Sequence, residues 1–209
     1  MKEKEIRKLD IQLRAENLGT EEDEEEQEMV IKGYAAVFDS PENYGYTEVI
    51  AQSAFDEADM SDVVLRYNHN DSYMVLARTR NKSLQLEVDK ENKHGKRGLY
   101  MEAHLQNDIT AHRDVYNGII SELLDKQSFA FTVEEDTYDY ETDTRTITKI
   151  GKLFDVSVVD QPFYNATDVS ASRDINNNEF LERRAEIRKQ HEDKKALDEA
   201  KRKLIEKLG

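Results

Sequence analysis

The sequence predicts a mainly β, α+β fold: a β-barrel or sandwich carrying one or two helices, with a charged helix at the C-terminus. Short runs with strand-like alternation recur between residues 9 and 159, and turn-forming stretches fall between them. From residue 178 onward the character changes to mixed charge at helical spacing, with no Gly or Pro until Gly209. Strand and helix units do not alternate, which argues against a doubly wound α/β sheet.

Leu9, Ile11, Leu13 and Ala15 alternate with Asp10, Gln12 and Arg14, the period of a half-buried strand. A second strand is expected over residues 29–38. Between them lies Glu21-Glu22-Asp23-Glu24-Glu25-Glu26-Gln27-Glu28, a block of like charge that repels itself and suits a hairpin loop over residues 16–28. Asp39-Ser40-Pro41-Glu42-Asn43-Tyr44-Gly45 is turn chemistry. Further strands are expected at 63–67, 83–88, 99–105, 128–134, 144–150 and 153–159, with hairpin turns at Lys93-His94-Gly95-Lys96-Arg97-Gly98 and at 139–143. Residues 110–126 have helical spacing instead, through Val115, Ile119, Ile120, Leu123 and Leu124, with Thr110 as N-cap. A shorter helix is expected at 53–58.

The 209 residues suit one domain with an appendage, divided as a body of residues 1–173 and a helical tail of residues 174–209 joined near Asn176-Asn177-Asn178. The tail is expected to project and to offer a face to a partner helix, or to be a plain surface helix. It carries ten Lys/Arg against nine Asp/Glu, so all of the net negative charge lies on the body. An acidic body repels phosphate, which argues against nucleic-acid binding. No apolar run is long enough to span a bilayer, and the first residues lack the apolar stretch of a secretory signal. The absence of cysteine removes disulfides, thiolate nucleophiles and Cys-based zinc sites, and fits a reducing cytoplasm.

Three segments carry the chemistry. In Tyr67-Asn68-His69-Asn70, His69 stands where a strand gives way to a polar loop, anchored yet reachable. In Gln127-Ser128-Phe129-Ala130-Phe131, alternation places Phe129, Phe131 and Val133 on one face and Ser128, Ala130 and Thr132 on the other. In Leu153-Phe154-Asp155-Val156-Ser157, Phe154, Val156 and Val158 share a face, and Asp155 and Ser157 take the opposite one. An acid within an apolar strand is costly to bury alone, so Asp155 calls for a partner. The three are the parts of a serine hydrolase: Ser128 as nucleophile, His69 as general base with an unperturbed pKa of about 6.5, and Asp155 to hold the imidazole tautomer. The plainer alternative makes Ser128 a small residue opening a strand. His104, Asp108, His112 and Asp114 are weak metal ligands by spacing, since His112 and Asp114 do not share a helix face. There is no Walker loop and no GxGxxG.

Set in order, these segments resemble the prohead (capsid maturation) serine proteases of tailed phages, a family related in fold to the herpesvirus assemblins. The matching pieces are Gly33-Tyr34-Ala35-Ala36-Val37-Phe38, Glu48-Val49-Ile50 with Ser53-Ala54-Phe55, Asn68-His69-Asn70, Ala77-Arg78-Thr79, Gly98-Leu99-Tyr100 and Arg113-Asp114-Val115-Tyr116. Gln127-Ser128-Phe129-Ala130-Phe131, residues 153–159 and Gln161-Pro162-Phe163 complete the set. The resemblance implies a barrel of about seven strands ringed by helices, and a serine endopeptidase with His69 as base and Ser128 as nucleophile. Herpesvirus relatives use a second histidine as third member; here the only histidine after Ser128 is His191, in the tail. Asp155 matches the position where the phage family carries Glu or Asp, with Glu134, Asp136 and Asp160 as fallbacks. No cofactor and no metal are expected. As partners, the resemblance implies the major capsid protein and scaffold as substrates, with possible self-cleavage and self-association, and neither nucleic acid nor membrane. It implies a location inside the immature capsid in the host cytoplasm, with the tail as a removable or capsid-docking segment. The alternative is a non-catalytic capsid assembly or scaffold protein.

Overall fold

The structure is a computed structural model that describes residues 2–9, 13–17, 28–160 and 177–208. It is a strand-rich α+β fold with eleven strands among the described residues, arranged in two sheets, and two helices. Strands β1 (Lys4–Leu9), β10 (Lys126–Asp139), β11 (Thr144–Val159), β5 (Thr47–Ile50) and β4 (Glu42–Asn43) follow one another across the first sheet. β6 (Val64–Tyr67) also pairs with β11 and carries β7 (Ala77–Arg78). The second sheet is antiparallel, in the order β2 (Arg14–Asn17), β3 (Met29–Val37), β9 (Gly98–Leu105), β8 (Leu84–Asp89).

The core lies between the sheets. Phe129 and Phe131 stack at 4.7 Å and are joined by Phe55, Ile31, Leu65, Leu99, Met101, Ile150 and Val156, all almost wholly buried. Burying apolar surface of this kind, at roughly 25 cal/mol per Å², is the main drive holding the sheets together.

Alternation located most strands, but the long pair β10–β11 differs from expectation. Residues 144–159 form one sixteen-residue strand rather than two, running straight through Gly151. There the chains approach closely: a Cβ on Gly151 would sit 2.9 Å from Cγ of Glu134 and 3.1 Å from Oγ1 of Thr132. The glycine admits that approach instead of ending the strand, and register shifts between Ala130 and Asp136 absorb the mismatch. Because β11 is so long, its first part pairs in parallel with β5 (Thr144 opposite Thr47) and its last part in parallel with β6 (Asp155 opposite Val64).

Other expectations are corrected. Residues 52–57 form successive turns, not a helix. Ile150 N–H donates to the Ala54 carbonyl, removing the acceptor that a helical bond would need. Helix α1 (Thr110–Ile120) is shorter than its pattern: Glu122 adopts a left-handed φ of 59°, and Ile120 and Leu123 are exposed. Its N-cap is Ile109, without a side-chain hydrogen bond, and Thr110 is the first helical residue. Strands β4, β5 and β7 were not expected. The alternating run from Leu9 to Ala15 divides into the end of β1 and the start of β2, with residues 10–12 outside the described set. Of the acidic block only Glu28 is described; β2 and β3, which flank it, pair antiparallel.

Among the described residues the ladders do not close into a ring. The sheets do meet at two corners, where Arg78 N–H donates to Ser83 Oγ (2.9 Å) and Leu13 N–H donates to the Asp125 carbonyl (3.2 Å).

Helix α2 (Asn178–Leu208) is one continuous element. Its first turns pack onto the body: Phe180 is buried against Tyr46 and Tyr138, and Arg184 forms a forked ion pair with Asp143. Residues 189–203 are exposed. No helix among the described residues is long and apolar enough to cross a membrane.

Candidate active site

Strand pairing brings the three sequence-nominated residues together. In the β10–β11 register Ser128 stands opposite Ser157, and Ala130 opposite Asp155, so all four project from one face of the sheet. The large neighbours Phe129, Phe131 and Val156 fill the other face and are fully buried. β6 runs parallel to β11 with Tyr67 opposite Val158, and Asn68 N–H extends that ladder to the Val158 carbonyl at 2.9 Å.

The chain then reverses. Asn68 and His69 both take left-handed backbone, φ 53° and 52°, where side chains with a Cβ are uncommon. The strain is held in place by hydrogen bonds: His69 N–H to Ser157 Oγ (3.2 Å) and Asp160 N–H to Asn68 Oδ1 (3.2 Å). The turn directs the imidazole back over the polar face of β10 and β11.

There His69 Nε2 lies 2.5 Å from Ser128 Oγ, and Nδ1 is hydrogen-bonded to Asp155 Oδ1. Asp155 is 2% exposed, a position no ionised carboxylate occupies cheaply. Burial pushes its pKa up, yet the hydrogen bond from His69, with the Lys4 ammonium beyond, holds it below the usual carboxylate range. An ionised carboxylate only accepts, so Nδ1 carries the proton and Nε2 is left to accept from a hydroxyl. A hydroxyl, an imidazole acceptor and a buried carboxylate in line can activate an oxygen nucleophile.

Three further groups complete the surroundings, and the sequence assigned none of them a role, although it placed Ser157 on the Asp155 face. Ser157 Oγ donates to Asp155 Oδ1 (3.0 Å) and lies 3.1 Å from His69 Nδ1. Lys4 Nζ, from β1, holds the outer oxygen Oδ2 at 3.2 Å. The Arg7 carbonyl, also on β1, accepts from Ser128 Oγ at 2.8 Å. Ser157 was legible in principle, two residues beyond Asp155 on the same strand face. The two β1 contacts come from more than a hundred residues away, and no local pattern announces them.

The fallback acids are engaged elsewhere. Glu134 pairs with Lys149, Asp136 with Arg145 and Arg183, and Asp160 with the Tyr67 hydroxyl. His104 contacts Glu28 and Glu102. The buried His112 accepts from Gln106 N–H and donates to the Val75 carbonyl, and burial lowers its pKa. Among the described residues no cluster of three or more His, Asp or Glu is arranged to hold a metal ion. Arg78 forms a forked pair with Asp62. Gln161-Pro162-Phe163 lies outside the described residues.

A family model described as Caudovirus prohead serine protease matches residues 16–180. No curated protein and no solved structure matches the chain. The match spans well over half of the sequence, and the chain belongs to the Caudovirus prohead serine protease family, the serine proteases of phage capsid maturation.

Proposed function

We propose, from that family membership, that Ser128, His69 and Asp155 are the catalytic residues of a serine endopeptidase acting in prohead maturation. The observation that carries this is the single imidazole of His69 bridging Ser128 Oγ and the buried Asp155 carboxylate. As Ser128 Oγ attacks a peptide carbonyl, its proton passes to His69 Nε2, and Asp155 stabilises the imidazolium through Nδ1–H. The tetrahedral intermediate collapses as Nε2–H protonates the leaving amine, giving an acyl-enzyme on Ser128. Water, deprotonated by the same nitrogen, then releases the acid and restores the serine. Ser128 is closed to solvent in this conformation, so substrate binding requires a local opening above the Ser128–His69 pair.

The substrates we assign are the scaffold and the N-terminal scaffolding region of the major capsid protein, with cleavage of the chain itself, inside the immature capsid. The fold reading that accompanies this is a barrel of about seven strands. The Leu13–Asp125 contact would join the sheets on one side, and the β7–β8 corner would join them on the other. Residues 1–173 form the protease body in this reading, and residues 174–209 a helical tail.

Co-expression with the cognate capsid protein tests the assignment. The wild-type chain trims it, and Ser128→Ala assembles with it but leaves it uncut, since loss of a triad nucleophile costs on the order of a million-fold in turnover. Trimming by the Ser128→Ala chain would refute the assignment, and a wild-type chain that assembles without trimming would favour a scaffold role.

A further inference from the structure

A buried ionic network unrelated to proton transfer runs from helix α2 to the nucleophile. Arg183 Nη2 contacts Asp136 Oδ1 at 2.5 Å, and Asp136 Oδ2 accepts from Arg145 Nε at 2.6 Å. Arg145 makes a forked pair with Glu5 (2.7 and 2.9 Å) and reaches Glu48 at 3.1 Å. Arg7 Nη2 joins Glu5 (2.5 Å) and Glu48 (2.8 Å), and Arg7 Nε also bonds Glu48. Arg7, Glu48 and Arg145 are each 2% exposed or less. The main-chain carbonyl of that same Arg7 accepts the Ser128 hydroxyl.

Two features make the first turns of α2 part of this network and not a cover over it. The cations Arg7, Arg145 and Arg183 balance the anions Glu5, Glu48 and Asp136; Arg183, itself 46% exposed, closes the solvent edge of the network over an Asp136 side chain that is 6% exposed, so removing it takes one of that carboxylate's two cations away. Phe180, 3% exposed, lies with its ring 4.3 Å from the Arg145 guanidinium and shields it from solvent. Glu3 extends the contact, accepting from Asn178 Nδ2 at 3.1 Å, so α2 also grips the start of β1. Burial pushes Glu48 up, but the adjacent Arg7 guanidinium holds it below its ordinary value, as an anion.

We infer that Phe180 and Arg183 are positioning residues for the protease reaction: by docking α2 they lock the Arg7 side chain, and so hold its carbonyl where it fixes the Ser128 hydroxyl beside His69. The hydroxyl has one proton and two acceptors, Arg7 O and His69 Nε2, and its rotamer is set by both. A shift of β1 along β10 moves one acceptor and leaves the other in place, which misaims the oxygen. This inference rests on Ser128 being the nucleophile. It implies that the tail is not separable from the catalytic body at residue 178, because the enzyme uses its first turns.

The test uses full-length chains carrying Phe180→Ala, Arg183→Gln, Arg183→Lys or, as a control on the exposed part of α2, Leu197→Ala. Each is assayed for kcat and KM on a peptide the wild-type chain cuts, for the rate of Ser128 labelling by a fluorophosphonate, and for folding by circular dichroism at the assay temperature. Phe180→Ala and Arg183→Gln should lower kcat and the labelling rate together by roughly ten- to a hundred-fold, the scale of a small misplacement, with KM little changed. Arg183→Lys, which keeps the cation, should restore most of the rate, and Leu197→Ala should match wild type. Folded Phe180→Ala and Arg183→Gln chains that retain wild-type kcat and labelling would overturn the inference, as would a loss confined to KM. A rise in kcat would also overturn it, since the Arg7 carbonyl would then be restraining the hydroxyl rather than placing it. Activity in Ser128→Ala would instead refute the nucleophile assignment itself.

Discussion

Replacing Asp155 with Asn is the most discriminating perturbation of the site, because the contacts around this side chain decide which way the amide must face. Oδ1 of the carboxylate accepts from His69 Nδ1 and from Ser157, while Oδ2 accepts from the Lys4 ammonium. An asparagine has one accepting oxygen and one donating NH₂. Lys4 is donor-only, so the oxygen is drawn toward it and the NH₂ is turned toward His69. Nδ1 must then accept, the ring proton moves to Nε2, and His69 donates to Ser128 where it should take a proton. Loss of this tautomer costs about 10⁴-fold in kcat in the chymotrypsin-type triad, or about 5.5 kcal/mol. Lys4 is 42% exposed on its side chain, so its hold on the amide is that of a solvent-screened pair, about 0.2–1 kcal/mol. Adding Lys4→Met to Asp155→Asn should therefore recover only about two- to five-fold, by freeing the amide to turn over. Steady-state cleavage of a peptide substrate measures both effects, and the ¹⁵N shifts of His69 report the tautomer directly. An Asp155→Asn chain within about ten-fold of wild type, with the proton still on Nδ1, would refute the role of Asp155.

Two further outcomes concern stability. Arg7→Leu removes a buried cation and leaves Glu48 and Glu5 to share Arg145 alone, so urea unfolding should show a loss of about 3–5 kcal/mol; a loss under about 1 kcal/mol would mean the network is solvated. The hydrogen bonds from Arg184 hold Asp143 down to about 2 against a modest opposing effect of burial. A depressed carboxylate contributes stability in full above its unfolded value of about 3.9, and that contribution disappears as pH falls through about 2. Hydrogen exchange of residues 178–188 should therefore accelerate as pH drops across this window beyond the intrinsic pH effect, and Asp143→Asn should remove the difference.

Much of the site was legible because strand alternation is a local property. Ser128 beside Phe129, and Asp155 beside Val156, declare their faces through a period of two; Phe154, expected on the apolar face, instead lies half-buried 5.2 Å from the Lys4 ammonium, and across the register shift Leu153 fills the core in its place. The left-handed turn at Asn68 and His69 was not legible, since neither is a glycine and the conformation is held by Ser157 and Asp160 from a distant strand. The break expected between residues 150 and 153 is absent for a related reason: Gly151 admits the close approach of Glu134, a neighbour that only the fold supplies. Helix α1 overran its true end because Leu123 and Leu124 continue the helical spacing, while the left-handed backbone of Glu122 terminates it.

The buried charges show the same division more sharply. Arg7, Glu48 and Arg145 sit in polar-looking stretches and gave no sign of burial, because an ionised side chain enters a core only when its counter-ions arrive with it. Those partners come from β1, β5, β11 and, through Arg183, from α2, which read by itself as an exposed charged helix. Alone, then, the sequence determined the strand-rich class, the long terminal helix, the family, and the identity of the three polar residues on otherwise apolar strands. Each of those follows from short-range periodicity or from ordered motifs along the chain. Only the tertiary structure decided that the three meet on one imidazole, that β1 supplies Lys4 and the Arg7 carbonyl to them, and that the first turns of α2 pack on the sheets. Those depend on pairing energies and charge compensation between segments far apart in the chain, which no local pattern encodes.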